Sequence, residues 1–194
     1  MAIKTIGVIG AGTMGNGIAQ VCAVAGLDVV MVDISADAVQ RGLGVVAGSL
    51  DRLIKKEKIT QADRDAAVAR IRGTTAYADL AGADLVIEAA TENEGLKLRI
   101  LKEIDAIVSP AAVIASNTSS LSITKLAAAV SHPDRFVGMH FFNPVPLMAL
   151  VELIRGLQTS DATLAAAQSF AAIIGKTAIV AKNSPGFAVN RILC

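Results

Sequence analysis

Short, uninterrupted apolar runs alternate along this chain with longer segments whose apolar positions recur every three to four residues. The runs at 5–10 ("TIGVIG"), 28–33 ("DVVMVD"), 84–90 ("DLVIEAA"), 112–116 ("AVIAS"), 134–141 ("DRFVGMHF"), 149–155 ("ALVELIR") and 177–182 ("TAIVAK") read as strands buried on both faces. Helical periodicity fills the spaces between them. A helix follows the first strand to about Ala25. Residues 35–57 place Val39, Leu43, Val46, Leu50, Leu53 and Ile54 on one face. Thr60 reads as the N-cap of a further helix over 61–71, and helices are expected over 94–108, 121–130 and 160–174. Strand–helix alternation predicts an α/β fold with a doubly wound, mainly parallel sheet. A helical hairpin (35–71) is inserted after the second strand, and extra strands follow the fifth.

Composition narrows the class. The chain has 194 residues, 53% of them hydrophobic, and a mean hydropathy of +0.56. That supports a large core and leaves apolar surface for something else to cover. A net charge of +1 and 3% aromatic residues point away from nucleic acid. Cys22 and Cys194 form neither a disulfide framework nor a metal-ligand spacing, so no metal is expected. The amino end lacks the regions of a signal peptide, and no apolar run approaches the ~20 residues that span a bilayer. A soluble, cytoplasmic protein is expected. Near the other end, "NSPGFAVNRILC" opens a helix after Pro185-Gly186 and reaches Cys194 with no C-cap signal. The expected division is a nucleotide-binding domain over 1–183 and, over 184–194, the start of a helical domain that the sequence breaks off.

The turn after the first strand carries the most specific chemistry. Gly10-Ala11-Gly12-Thr13-Met14-Gly15 matches G-x-G-x-x-G between a strand and a helix, and Asp33 ends the next strand. Gly10 permits the tight turn, Gly12 lets a pyrophosphate approach the backbone, and Gly15 allows the helix to pack closely on the strand. Amides at the helix start, around Thr13 and Met14, attract phosphate charge. Asp33 suits ribose hydroxyls and repels a 2′-phosphate, so the Rossmann-type sheet is expected to take NAD rather than NADP; FAD proteins share the fingerprint.

A second constellation lies in "GMHFFNPVPLMALVEL". His140 ends one strand and Glu152 lies in the next, so an antiparallel hairpin brings a carboxylate beside the imidazole. A histidine of near-neutral pKa suits removal of a hydroxyl proton. Phe141 and Phe142 would exclude water, and Pro144 and Pro146 would hold the turn. The same residues also fit a half-buried histidine bonded to a structural acid. His132, in the polar turn "SHPDR", is given no role. "SNTSS" reads as a turn in which Ser120 could cap the next helix. The basic tip "KKEK" (55–58) reads either as a solvated helix end or as a site for a phosphate.

Four stretches, "GAGTMGNGIA", "ASNTSSL", "DRFVGMHFFNPVPLMALVE" and "NSPGFAVNR", resemble in order and spacing the signatures of L-3-hydroxyacyl-CoA dehydrogenases, bacterial 3-hydroxybutyryl-CoA dehydrogenases included. The resemblance runs from residue 3 to the last residue. It implies NAD-dependent, reversible oxidation of a (3S)-3-hydroxyacyl-CoA to a 3-oxoacyl-CoA. In that reading His140 is the base and Glu152 its orienting acid. Ser119 bonds the substrate's 3-oxygen near the nicotinamide, and Asn190 lies near the reacting groups. The resemblance further places Glu92 and Lys97 at the cofactor, Asn143 at cofactor or substrate, and Ser49 and Lys56 at the CoA moiety. Family members continue into a helical domain that closes over the acyl group and forms a homodimer. This chain as it stands is therefore expected to bind NAD with weak or absent turnover. A related enzyme of different specificity, such as L-gulonate dehydrogenase, and a noncatalytic relative, such as lambda-crystallin, share the same signatures.

Overall fold

The structure, a computed structural model, describes residues 2–182. Eight strands form one sheet in the order β3-β2-β1-β4-β5-β6-β7-β8. In chain order the elements are β1 (Thr5–Ile9), α1 (Thr13–Val24), β2 (Asp28–Val32), α2 (Ala36–Lys55), α3 (Gln61–Ala69), β3 (Ile71–Thr74), β4 (Leu85–Glu88), α4 (Glu94–Asp105), β5 (Val113–Ser116), α5 (Ile123–Ala127), β6 (Phe136–Phe141), β7 (Leu150–Arg155), α6 (Asp161–Ile173) and β8 (Thr177–Lys182). Strands β1 to β6 run parallel. β7 pairs antiparallel with β6, and β8 runs parallel to β7.

The apolar runs are continuous because both faces of the sheet are covered. One core layer joins Val8, Ile87 and Met139 to Ile18 and Cys22 of α1, Leu50 of α2 and Phe170 of α6. The other joins Val86, Ile114 and Phe136 to Leu101 and Ile104 of α4 and Leu126 of α5. Cys22 is a buried core thiol, and burial pushes its pKa up.

Helix starts follow their caps. Ser35, Thr60, Asn93, Ser122 and Ser160 each accept an amide hydrogen bond at the start of α2, α3, α4, α5 and α6. Ser122, rather than Ser120, caps α5. The expected helix over 61–71 ends at Ala69, and its last apolar residue, Ile71, opens β3 instead. This strand is only four residues long, "IRGT", and its own pattern is not strand-like. It exists because Ile71 pairs with Val29 on the edge of β2. Gly73 lets it close on α2: a Cβ there would stand 2.3 Å from a methyl of Val39. Residues 184–194, expected to open a helical domain, lie outside the described residues, as does Asn190.

Order β3-β2-β1-β4 makes the chain reverse direction across the sheet at β1 and β4. The crevice at the carboxyl ends of those two strands is where such sheets bind ligands. Among the described residues, the glycine loop, Asp33, Glu92, Ser119 and His140 lie at or just past the carboxyl ends of their strands, and Ser49 and Lys56 lie on α2 and at its end.

Candidate active site

The glycine loop follows β1 at this crevice. Gly10 has φ +100°, a left-handed conformation that glycine adopts without strain. Gly15 is required by contact, since a Cβ there would lie 1.7 Å from the Gly10 carbonyl oxygen. Gly12 differs: a Cβ there would meet nothing within 4 Å. The space in front of its backbone is open. Helix α1 begins there with no side-chain cap and no acid in its first turn, so its amide dipoles point at that space without a protein partner for the cap. Asp33, just past β2, accepts the Ala11 amide at 2.7 Å through one carboxylate oxygen and the Ile34 amide at 2.7 Å through the other. It thereby pins the loop to the end of β2. Beside it lies a cavity of about 390 Å³ bordered by Gly10, Asp33, Ile34, Tyr77, Leu96 and Arg99. Burial, reinforced by the charges of Glu103, Asp33 and Glu88, pushes the Tyr77 phenol up, so it stays neutral there.

The hairpin of β6 and β7 sets His140 directly opposite Glu152. Imidazole Nδ1 and carboxylate Oε2 are 2.7 Å apart, with Glu152 fully buried and His140 only 7% exposed. Phe142 covers the ring, its centroid 4.6 Å away at 53°. On the neighbouring strand, the polar segment after β5 is fixed by side chains. Asn117 Oδ1 accepts the Phe141 amide at 2.9 Å, which ties this segment to the strand that carries His140. Glu92 accepts the Thr118 hydroxyl at 2.7 Å through one oxygen. Its other oxygen takes the Ser119 amide at 2.8 Å and the Ser119 hydroxyl at 3.3 Å. Glu92 and Ser119, both expected at the site, are thus one unit.

Lys97, also expected at the cofactor, is buried. Its side chain is 1% exposed and its ammonium bonds Glu88, which also accepts the Ser116 hydroxyl at 3.0 Å and the Ala90 amide at 2.9 Å. Through Glu88 the ammonium is linked to the end of β5 at Ser116 and to Ala90, the points from which the segments carrying Ser119 and Glu92 lead off.

A second cleft, of about 370 Å³, opens between α2 and the loop that joins β6 to β7. Ser49, Arg52 and Lys56 line one wall and Asn143 to Leu147 the other, and Thr13 of the glycine loop also borders it. The structure therefore brings Ser49, Lys56 and Asn143 together. Arg52 joins them and was not singled out from the sequence, although the α2 spacing of Ser49, Arg52 and Lys56 was the available signal. Among the described residues, no group of three His, Cys, Asp or Glu side chains is arranged to hold a metal ion. Nor is any helix long and apolar enough to cross a membrane.

Residues 5–184 match the family described as 3-hydroxyacyl-CoA dehydrogenase, NAD binding domain. The chain belongs to the 3-hydroxyacyl-CoA dehydrogenase family. It is 52% identical over 191 residues to a 3-hydroxybutyryl-CoA dehydrogenase of Bradyrhizobium diazoefficiens, covering 98% of this chain and 65% of that protein. It is 44% identical to the fatty acid oxidation complex subunit alpha of Psychrobacter arcticus, again over 98% of this chain but 27% of that protein. The crystal structure of an (S)-3-hydroxybutyryl-CoA dehydrogenase from Ralstonia eutropha superposes with a TM-score of 0.98 at 68% identity, covering all of this chain and 68% of the other. The chain thus spans about two-thirds or less of the relatives it matches.

NAD is the cofactor of this family's domain, and the residues present fit it. Open backbone at Gly12 and the uncapped start of α1 suit a pyrophosphate. Asp33 borders the neighbouring cavity with a carboxylate that would suit ribose hydroxyls, and Ile34, Leu96 and Tyr77 offer walls for a flat base. Gly10, Gly12, Thr13, Met14, Gly15 and Asp33 are the residues that would hold NAD. Asn117, Glu88 and Ser116 are the supporting residues that sequence reasoning missed. "SNTSS" reads as a turn from sequence, and nothing local announces that its asparagine bonds across to another strand.

Proposed function

We propose that this protein catalyses the reversible NAD-dependent oxidation of a (3S)-3-hydroxyacyl-CoA, 3-hydroxybutyryl-CoA in the first instance, to the 3-oxoacyl-CoA. The observation that carries the reading is the buried 2.7 Å contact between His140 and Glu152 at the ligand-binding edge of the sheet. An ionised carboxylate can only accept, so Nδ1 carries the hydrogen and the neutral ring keeps its lone pair on Nε2. His140 then takes the proton of the 3-hydroxyl at Nε2, and the imidazolium so formed is balanced by Glu152 without transfer of a proton to it. Bound NAD+ supplies the acceptor for the hydride that leaves C3. In the reverse direction His140 returns the proton to the oxygen. Ser119, held by Glu92, orients that oxygen through its hydroxyl. Lys56 and Ser49 hold the CoA moiety along α2, and Asn143 closes the opposite wall of the cleft. Similarity to named 3-hydroxybutyryl-CoA dehydrogenases supports this substrate class. Asn190 near the reacting groups, a homodimeric assembly and a cytoplasmic location complete the proposal.

Oxidation of NADH by acetoacetyl-CoA, followed by absorbance, tests the activity. His140→Gln is expected to lower kcat by about 10²–10⁴-fold while NADH affinity, measured by titration, stays unchanged. Undiminished turnover in that variant removes the histidine from the mechanism.

A further inference from the structure

The loop between β6 and β7, residues 142–149, joins the strand of His140 to the strand of Glu152 and forms one wall of the α2 cleft. Its tip is thinly supported. Pro146 and Leu147 border the cleft on one side, and on the other they border a second groove of about 460 Å³ lined by Val24, Leu53 and Ile173. Leu147 is 76% exposed. A wall with space on both sides is not positioned by close packing, so something else must set where it stands.

Two contacts do so. Val145, 1% exposed, presses on Gly17 of α1, where a Cβ would stand 2.9 Å from the Cβ of Val145. Beyond that point one side chain from the α6–β8 turn holds the loop. Lys176, in the turn between α6 and β8, donates from its ammonium to the Val145 carbonyl at 2.8 Å and the Met148 carbonyl at 2.7 Å. The next amide, Thr177 N–H, donates to the Ala149 carbonyl at 2.7 Å. Met148 and Leu147 in turn donate their amides to the Pro144 carbonyl, both at 3.0 Å, so the segment between the two Lys176 acceptors is a closed turn. Hydrogen bonds from a charged donor are stronger than neutral ones, and removing the donor takes the partner from the part-buried Val145 carbonyl and the tie from the exposed Met148 carbonyl.

We propose that Lys176 is a positioning residue for the acyl-CoA cleft: by clamping the Val145 and Met148 carbonyls it fixes the β6–β7 loop, and with it the wall from Asn143 to Leu147, in the place that receives substrate. This rests on the acyl-CoA reading of the cleft given above. Lys176 touches neither the glycine loop nor the His140–Glu152 pair in these contacts, so its effect belongs to substrate affinity and not to cofactor affinity. Burial lowers the proton affinity of the ammonium, as expected for a cation drawn partly out of water onto neutral carbonyls.

The test uses the intact protein and three variants, Lys176→Met, Lys176→Arg and, as a control for loss of apolar cover, Leu147→Ala. Binding of acetoacetyl-CoA and of NADH is measured by titration calorimetry, and amide hydrogen exchange is followed over residues 143–149. Lys176→Met is expected to weaken acetoacetyl-CoA by about tenfold or more, equivalent to at least one lost strong contact, with NADH affinity unchanged and faster exchange confined to the loop. Lys176→Arg, which keeps a charged donor, recovers most of the affinity. A Lys176→Met protein that is folded, binds NADH normally and binds acetoacetyl-CoA as tightly as the wild type overturns the proposal. So does an equal loss of both ligands, which marks a general destabilisation. Wild-type protein that binds NADH but no acyl-CoA overturns the acyl-CoA reading and the affinity claim with it, whereas loop exchange then reports separately whether Lys176 is the clamp.

Discussion

At the scale of single residues, the three glycines of the fingerprint separate into different physical roles, and this gives a sharp prediction. A methyl on Gly15 would collide with the Gly10 carbonyl oxygen at 1.7 Å, a backbone atom that cannot swing aside, so α1 must shift off β1. A methyl on Gly12 would touch no protein atom. Gly15→Ala is therefore expected to cost about 1–3 kcal/mol in unfolding free energy, the usual range for overpacking. Gly12→Ala leaves the denaturant midpoint in place and weakens NADH by about tenfold or more, because the new methyl occupies the space a pyrophosphate needs. Equal midpoints with equal NADH affinities would show that the space before Gly12 is not the phosphate site. Such roles were legible in the sequence because the fingerprint fixes spacing and flanking elements together. His140 and Glu152 were legible for a related reason: both fall in recognisable strands, and residues opposite each other in a hairpin share a face. Lys97 was not. The resemblance put it at the cofactor, and only the fold reveals that its ammonium reaches Glu88, the acid that ends β4.

At the scale of elements, the opposite edge of the sheet is held by one cation. Arg135, 5% exposed, donates to the carbonyls of Ser109 and Ala112 and pairs with Asp105 at 2.6 Å, joining the end of α4 to the starts of β5 and β6. Burial alone would raise the Asp105 pKa. The Ser131 amide and the Arg135 guanidinium outweigh it, so the carboxyl is held below its ordinary value. A group whose folded pKa is depressed contributes stability that is fully present above the unfolded pKa, about 3.9, and is lost as pH falls through the folded value. Asp105→Asn is expected to lower stability at neutral pH by about 1–3 kcal/mol and to shrink the loss on acidification below about pH 4. Urea titrations at neutral and acid pH measure both; an acid limb as steep in the variant as in the wild type would assign the effect elsewhere. Elements stabilised by such long-range pairing are also where the sequence reading fell short. β3 carries one buried apolar residue and is drawn into the sheet by the edge of β2, so its local pattern belonged to the preceding helix. By contrast, β4, β5 and β6 are covered on both faces, and that burial wrote itself into unbroken apolar runs.

For the molecule as a whole, the sheet presents two ligand regions that meet at Thr13: the crevice of the glycine loop, and the cleft between α2 and the β6–β7 loop. The net charge is +1, so no global field draws an anion toward either region, and any attraction for a CoA phosphate must be local. The local source is the end of α2, where Arg52 and Lys56 line the cleft and Lys55 and Lys58 flank Lys56 in the sequence. At physiological ionic strength charges interact over roughly 8 Å, which confines the effect to the phosphates of the CoA handle and spares the reacting acyl group. Two substrates with the same acetoacetyl group then differ in a defined way. Acetoacetyl-CoA should show a KM that rises with added salt. The short N-acetylcysteamine thioester, which has no phosphate, should show a higher KM that salt leaves alone, with kcat for the two within a few-fold of each other because the proton chemistry at His140 is unchanged. Lys56→Ala should narrow the KM gap and flatten the salt dependence for acetoacetyl-CoA while NADH affinity keeps its wild-type value. If the phosphate-free thioester responds to salt as strongly as the CoA ester, the basic end of α2 is an ordinary solvated helix terminus, and the handle of the substrate is held by some other part of the protein.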